Sequence, residues 1–183
     1  MKKIINLVII AVIMAVSIVA LSGCKGKDKS KNSEDYLKPL NQYFEGFKEK
    51  NAEKISSVYP PFKNEKMSEA EINEIYAEYE KDVGLNISID YSINNTLKLD
   101  KDQISEVAQE IGAIYSSFEK DKLTDAYCLN VIFKVAGEKV ENQDDEEESD
   151  DEEDEEQAEK TVNTKEEKQD GFSIKYDGNW YIL

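Results

Sequence analysis

The chain has 183 residues, with 23 basic side chains against 40 acidic ones and a formal net charge of −17. It contains no histidine and no arginine, which removes the usual acid/base of neutral pH, imidazole metal ligands and the guanidinium fork that grips carboxylates and phosphates. Nucleic acid is a poor partner for such a chain, because binding phosphates needs a basic footprint. The charge is also local. Fourteen acidic residues and no lysine lie between Glu141 and Glu159, and −17 less those fourteen leaves −3 for the rest. The charge therefore describes one segment and not the fold.

At the N-terminus, Lys2 and Lys3 precede an apolar run from Ile4 to Ala20 that only Asn6 and Ser17 interrupt, and Leu21-Ser22-Gly23-Cys24 closes it. A basic start, an apolar middle and a small-residue end are the layout of a secretory signal. The last four residues resemble the lipobox of bacterial lipoproteins. That resemblance implies a diacylglyceryl group on Cys24, cleavage just before it, and signal-peptidase recognition through Leu21, Ser22 and Gly23. Two acyl chains, at about 0.8 kcal/mol per buried methylene, hold stably where one is marginal. The competing reading is a transmembrane anchor, but this run falls short of the roughly 20 residues a span needs. The chain thus divides into a signal peptide (1–23), a lipidated cysteine with a tether (24–33) and a domain (34–183) on the outer face of a cell membrane. Lysine-, isoleucine- and asparagine-rich usage without arginine looks like an AT-rich, Gram-positive genome.

The tether, Lys25 to Ser33, carries four lysines and reaches roughly 15–18 Å as a random coil. Its lysines suit either anionic headgroups or plain solvent. Tyr36, Leu40, Tyr43, Phe44 and Phe47 recur at helical spacing, which predicts a first helix at about 37–50 with Pro39 near its start. Asn51 caps a short second helix through Ile55, Val58 and Tyr59, ended by Pro60-Pro61. Ser68 and Glu71 form a capping-box pair before an amphipathic helix through Ile72, Ile75, Tyr76 and Tyr79, closed by Gly84.

From Leu85 to Ile93 apolar and polar residues alternate, the period of a half-buried strand. Asn94-Asn95 turns or bends it before Leu97 and Leu99. Asp100 and Gln103 cap a further helix predicted to run to about residue 119. A second alternation sets Tyr127, Leu129, Val131, Phe133 and Val135 against Cys128, Asn130, Ile132 and Lys134. Gln143 to Gln157 is an acidic low-complexity block that cannot pack a core, within a disordered insertion predicted at about 141–170. Order is predicted to return at Gly171. Asp177-Gly178, between Phe172–Tyr176 and Asn179–Leu183, signals a type I′ hairpin.

This order of elements is α+β, with N-terminal helices plus a long helix on one face of a curved antiparallel sheet. It is similar to the NTF2-like and cystatin-like cone folds, and the Asp177-Gly178-Asn179-Trp180 ending is similar to that of small lipoproteins. In enzymes of that fold a pocket-facing Asp, His or Tyr does the chemistry. Here the inward set is Ile87, Ile89, Tyr91, Leu129, Val131 and Phe133, while Asp90 falls on the opposite face with Ser88 and Ser92. No catalytic residue is assigned. Cys128 has no disulfide partner if Cys24 is acylated, and without a basic neighbour it reads as a small hydrophobe. The acidic block lacks the glycine and the fixed turn of a calcium loop, so no metal or cofactor is expected and weak cation attraction is the most it offers.

One surface stands out. A two-residue turn pairs Tyr176 with Asn179, Lys175 with Trp180 and Ile174 with Tyr181, and cross-strand partners share a face. Phe172, Ile174, Tyr176, Tyr181 and Leu183 are expected to meet the helices. The other face, Ser173, Lys175, Trp180 and Ile182, is expected to be joined by Cys128, Asn130 and Ile132. Trp180, Ile182, Ile132 and Lys175 then form a candidate partner surface with an aromatic anchor. Two plainer outcomes are open: Lys175 simply covers the indole, or the first helix folds across this face. A one-residue slip would exchange the faces. The function these readings favour is a surface-anchored, non-enzymatic binding module for a small apolar ligand or an envelope protein. The alternatives are a cone-fold lyase or isomerase, and capture of cations or cationic peptides by the acidic loop.

Overall fold

A computed structural model describes residues 34–140 and 160–183, apart from the side chains of Val140 and Lys160. The signal segment, the tether and the acidic block lie outside the described residues. A 3-10 turn (Glu34–Leu37) leads into α1 (Lys38–Lys48) and α2 (Ala52–Ser56). A second 3-10 turn (Pro61–Lys63) precedes α3 (Glu69–Val83), β1 (Leu85–Lys98) and α4 (Lys101–Ile114). A third turn (Lys120–Lys122) precedes β2 (Leu123–Val140), β3 (Lys160–Tyr176) and β4 (Asn179–Ile182).

The helix starts follow their capping chemistry. Asn51 accepts the Lys54 N–H at 2.9 Å, and Ser68/Glu71 and Asp100/Gln103 each close a reciprocal capping box. Each pair satisfies two N–H groups that the first turn would otherwise leave open. Helix α4 stops at Ile114 and not near 119, because Tyr115 adopts an extended conformation. Phe118 nevertheless returns to the core, 9% exposed.

The four strands form one antiparallel sheet in the order β1-β2-β3-β4, curled into a half-barrel. The pairing of β2 with β3 runs from Leu123↔Tyr176 to Val140↔Lys160. Strand β3 therefore begins at Lys160 and not at Gly171, which corrects the predicted extent of the insertion. From 160 to 172 no described strand pairs with its outer edge. Lys165, Glu166, Glu167, Lys168 and Asp170 line that edge, and charges there discourage strand-to-strand association. The same charges make the segment read as loop.

Both faces of the sheet are covered. Helices α1, α2 and α3 pack Leu40, Phe44, Phe47, Ile55, Ile72 and Tyr76 against Leu129, Val131, Phe133 and Val135 of β2. Helix α4 lies on the other face, where Val107, Ala108 and Ile111 meet Ala126, Ile174, Tyr176 and Leu183. Strand β1 and Leu99, which follows it, serve the two cores across a bulge between Ile93 and Asn95. An extra residue in one strand reverses its inside-out alternation. Ile89 thus belongs to the first core and Leu99, beyond the bulge, to the second.

Two glycines set the join of α3 to the sheet. Gly84 has φ +99°, and a Cβ there would lie 2.2 Å from the Glu138 carbonyl oxygen. Gly137 stands opposite, where a Cβ would come within 2.9 Å of Val83 and of the Gly84 oxygen. Gly84→Ala should therefore lower stability by about 2 kcal/mol or more, combining left-handed strain with a backbone clash. At Gly178, φ +82° with nothing within 4 Å, alanine should cost only the strain, about 1–2 kcal/mol. Urea denaturation of both variants checks this; equal losses would contradict the close approach.

Candidate functional site

The terminal hairpin has the expected register: Tyr176↔Asn179, Lys175↔Trp180, Ile174↔Tyr181 and Ser173↔Ile182. Asp177 and Gly178 both have positive φ, 50° and 82°, as a type I′ turn requires. The expected partner surface does not assemble, however. Tyr127, not Cys128, pairs with Ser173, and Cys128 pairs with Phe172. Tyr127, Leu129 and Val131 therefore share the Trp180 face, while Cys128, Asn130 and Ile132 lie on the α4 side of the sheet. Ile132 is divided from Trp180, Lys175 and Ile182 by the thickness of the sheet. Ile182 is 6% exposed within the first core and donates its N–H to the Val58 carbonyl at 2.9 Å. The first helices fold across this face, and the hairpin's other face meets α4.

Around Trp180 lies a compact aromatic group, in which Tyr127 is buried and Tyr36 and Trp180 are half-buried. Tyr36 stacks on Tyr127 with centroids 3.9 Å apart and planes 6° from parallel. Trp180 stands edgewise to Tyr36 at 6.2 Å and tilted to Tyr127 at 5.8 Å. The Lys175 amine lies 6.0 Å from the indole centroid and the Lys98 amine 5.6 Å from the Tyr127 ring. Lys98 also donates to Asp125 at 3.1 Å, which holds its amine above the usual lysine range. Beneath the group, the fully buried Ser173 donates its hydroxyl to the Tyr36 carbonyl at 2.6 Å. Tyr36 is the residue that sequence reasoning missed in this role. Its helical spacing with Leu40 points only to the first helix predicted at about 37–50, and it sits in the turn before that helix.

Between α1 and the sheet, aromatic side chains pack against one another. Phe44 stacks on Tyr91 at 4.0 Å and tilts against Phe133 at 5.6 Å. The tyrosine hydroxyls there are engaged: Tyr76 donates to the Phe47 carbonyl at 2.8 Å and Tyr91 to Asn41 at 2.6 Å. Burial pushes Tyr43 up to about 12, partly offset by its hydrogen bond to Tyr59. Tyr59 is raised as well, by burial first and Tyr43 second.

Besides Asp125, Glu167 of β3 reaches the helix-facing side of the sheet, from the stretch that the sequence reads as insertion. It pairs with Lys165 at 3.1 Å, and Lys165 also grips Asp82 of α3 at 2.7 Å. Burial, then Glu167, raises Tyr79 beside them to about 12. The set clamps α3 to the strand. Asp90 is solvated as expected, its side chain 80% exposed.

Across the α4 side, Asn94 donates to Asn130 at 2.8 Å and Asn130 to Asp170 at 2.5 Å. Burial and then Asp170 raise the Cys128 thiol, which works against a thiolate role. Among the described residues no group of three or more His, Cys, Asp or Glu could hold a metal ion. No described helix is long and apolar enough to cross a membrane.

The fold defined by these elements is an α+β half-barrel with helices on both faces. No protein-family model matches the chain, and neither a curated protein nor a solved structure matches it.

Two outcomes follow. Trp180→Ala should cost about 2 kcal/mol, since a half-buried indole gives up part of what a fully buried one does. Lys175→Ala should cost under about 1 kcal/mol. Thermal melts check both, and a neutral Trp180→Ala would contradict the packing with Tyr36 and Tyr127. The second outcome concerns alkaline pH. Buried phenols keep their protons above the free value of about 10, so the unfolded chain loses them first. Stability is full below that value and falls as pH climbs toward about 12, the range to which Tyr43 is raised. Tyr43→Phe should flatten that fall in urea midpoints measured from about pH 9 to about 12, and an unchanged slope would count against it.

Proposed function

We propose that this chain is a bacterial lipoprotein, anchored through Cys24 on the outer face of the cell membrane, whose domain is a non-enzymatic binding module. One observation carries the reading: Leu21-Ser22-Gly23-Cys24 at the end of a basic-then-apolar leader. Two acyl chains on Cys24 give stable attachment without a spanning helix. Supporting the binding role, the chain has neither histidine nor arginine. The inward tyrosines spend their hydroxyls on Phe47, Asn41 and each other. An envelope protein suits the domain better than a small apolar ligand, because Phe44, Tyr91 and Phe133 pack against one another between α1 and the sheet.

Mass spectrometry of the protein from membranes should find an N-terminus at Cys24 carrying lipid. Cys24→Ala should release the protein or leave the leader uncut, and normal membrane-bound mature protein from that variant would overturn the anchor. A fatty-acid titration should leave Tm unchanged, since only a ligand that binds the folded state raises it; a rise would favour the small-ligand form.

A further inference from the structure

We infer that the end of the sheet bearing Tyr36, Tyr127 and Trp180 is the surface that meets the membrane, and that its occupant is an anionic bilayer. This rests on the lipid-anchor reading above and adds an orientation to it. The chain enters the described structure at Glu34, and its first turn is fixed to this end. Tyr36 stacks on Tyr127 at 3.9 Å, and its carbonyl accepts from Ser173 at 2.6 Å. The nine residues between Cys24 and Glu34 span at most about 3.3–3.6 Å each, so a lipid on Cys24 holds this end of the domain nearer the bilayer than the other.

The acidic segment leaves and rejoins the fold at the opposite end. Pairing is unbroken from Tyr127↔Ser173 to Val140↔Lys160, which spans roughly 40 Å along the strands at about 3.3 Å per residue. That is several times the screening length of about 8 Å at physiological salt. Fourteen acids between Glu141 and Glu159 are thus attached at one pole, and the four lysines of Lys25 to Ser33 at the other. An anionic leaflet attracts the lysine pole and repels the acidic one. At the near end, three acids are paired: Asp35 with Lys38, Asp125 with Lys98 and Glu119 with Lys122. The Lys98 and Lys175 amines there lie over the Tyr127 and Trp180 rings. Aromatic rings with lysine amines beside them suit the headgroup layer, which is apolar on one side and wet on the other.

Trp180 is the single tryptophan and serves as the reporter. Full-chain protein purified with its lipid is reconstituted into phosphatidylglycerol-rich vesicles carrying a nitroxide on the headgroup. Flotation with the vesicles reads the anchor, and quenching of tryptophan emission reads the orientation. Trp180 should lose most of its emission. A tryptophan placed at the far end, Thr161→Trp with Trp180→Phe, should keep its own. Floating protein with Trp180 unquenched, or with both reporters quenched alike, overturns the orientation and leaves the anchor standing. Equal Trp180 quenching on pure phosphatidylcholine vesicles overturns the choice of an anionic surface. Protein that does not float overturns the anchor and the orientation with it.

Discussion

Tyr127 lies opposite Ser173, and that registration decides which residues of β2, β3 and β4 look toward α1–α3 and which toward α4. Side chains in a strand alternate with a period of two, so shifting the pairing by one residue would send Leu129, Val131 and Phe133 to the wrong core. With the register as it stands, Ser173 comes under the Tyr36 carbonyl and ties down the N-terminal turn. Ile182 falls into the first core while Leu183, the next residue, falls into the second. The last strand therefore closes both layers at once. The Ile182 N–H reaches Val58 and the Leu183 N–H reaches Phe172, each at 2.9 Å.

The same ladder organises function. It is long because β3 continues back to Lys160 along an edge that charge keeps free of other strands. Its length separates the place where the chain enters the fold from the place where the acidic segment is attached. If Cys24 carries a lipid as proposed, an anionic surface would orient the domain through the lysines that precede Glu34 and the acids that follow Val140, without any specific lipid contact. Burial raises the domain's Tyr43 and Tyr79.

Local signals in the sequence carry much of this. Ser68-Glu71, Asp100-Gln103, Asn51, Gly84 and Asp177-Gly178 act within a few residues, so each marks its helix end or turn without knowledge of the rest of the chain. The alternations of Leu85–Ile93 and Tyr127–Val135 likewise mark buried faces directly. What the sequence does not carry is long-range pairing. Tyr127 and Ser173 are far apart along the chain, and both faces of the terminal hairpin are apolar enough to be buried. Alternation alone therefore leaves the relative register of β2 and β3 open, and the candidate surface of Trp180, Ile182, Ile132 and Lys175 came apart on that point. Lys160 to Asp170 escaped for a different reason. A charged edge strand has the composition of a loop, and only its partner β2 reveals it.

The most direct test of the account is the length of the β2–β3 ladder. Spin labels at Asn179→Cys and Lys139→Cys, in a chain with Cys24 and Cys128 replaced by serine, mark its two ends at exposed positions. A double electron–electron resonance distance of roughly 40–50 Å is expected from sixteen residues of extended pairing. A distribution centred below roughly 25 Å, about half the extended length, would mean that the strands break or fold back, and would contradict both the register and the separation of the two ends.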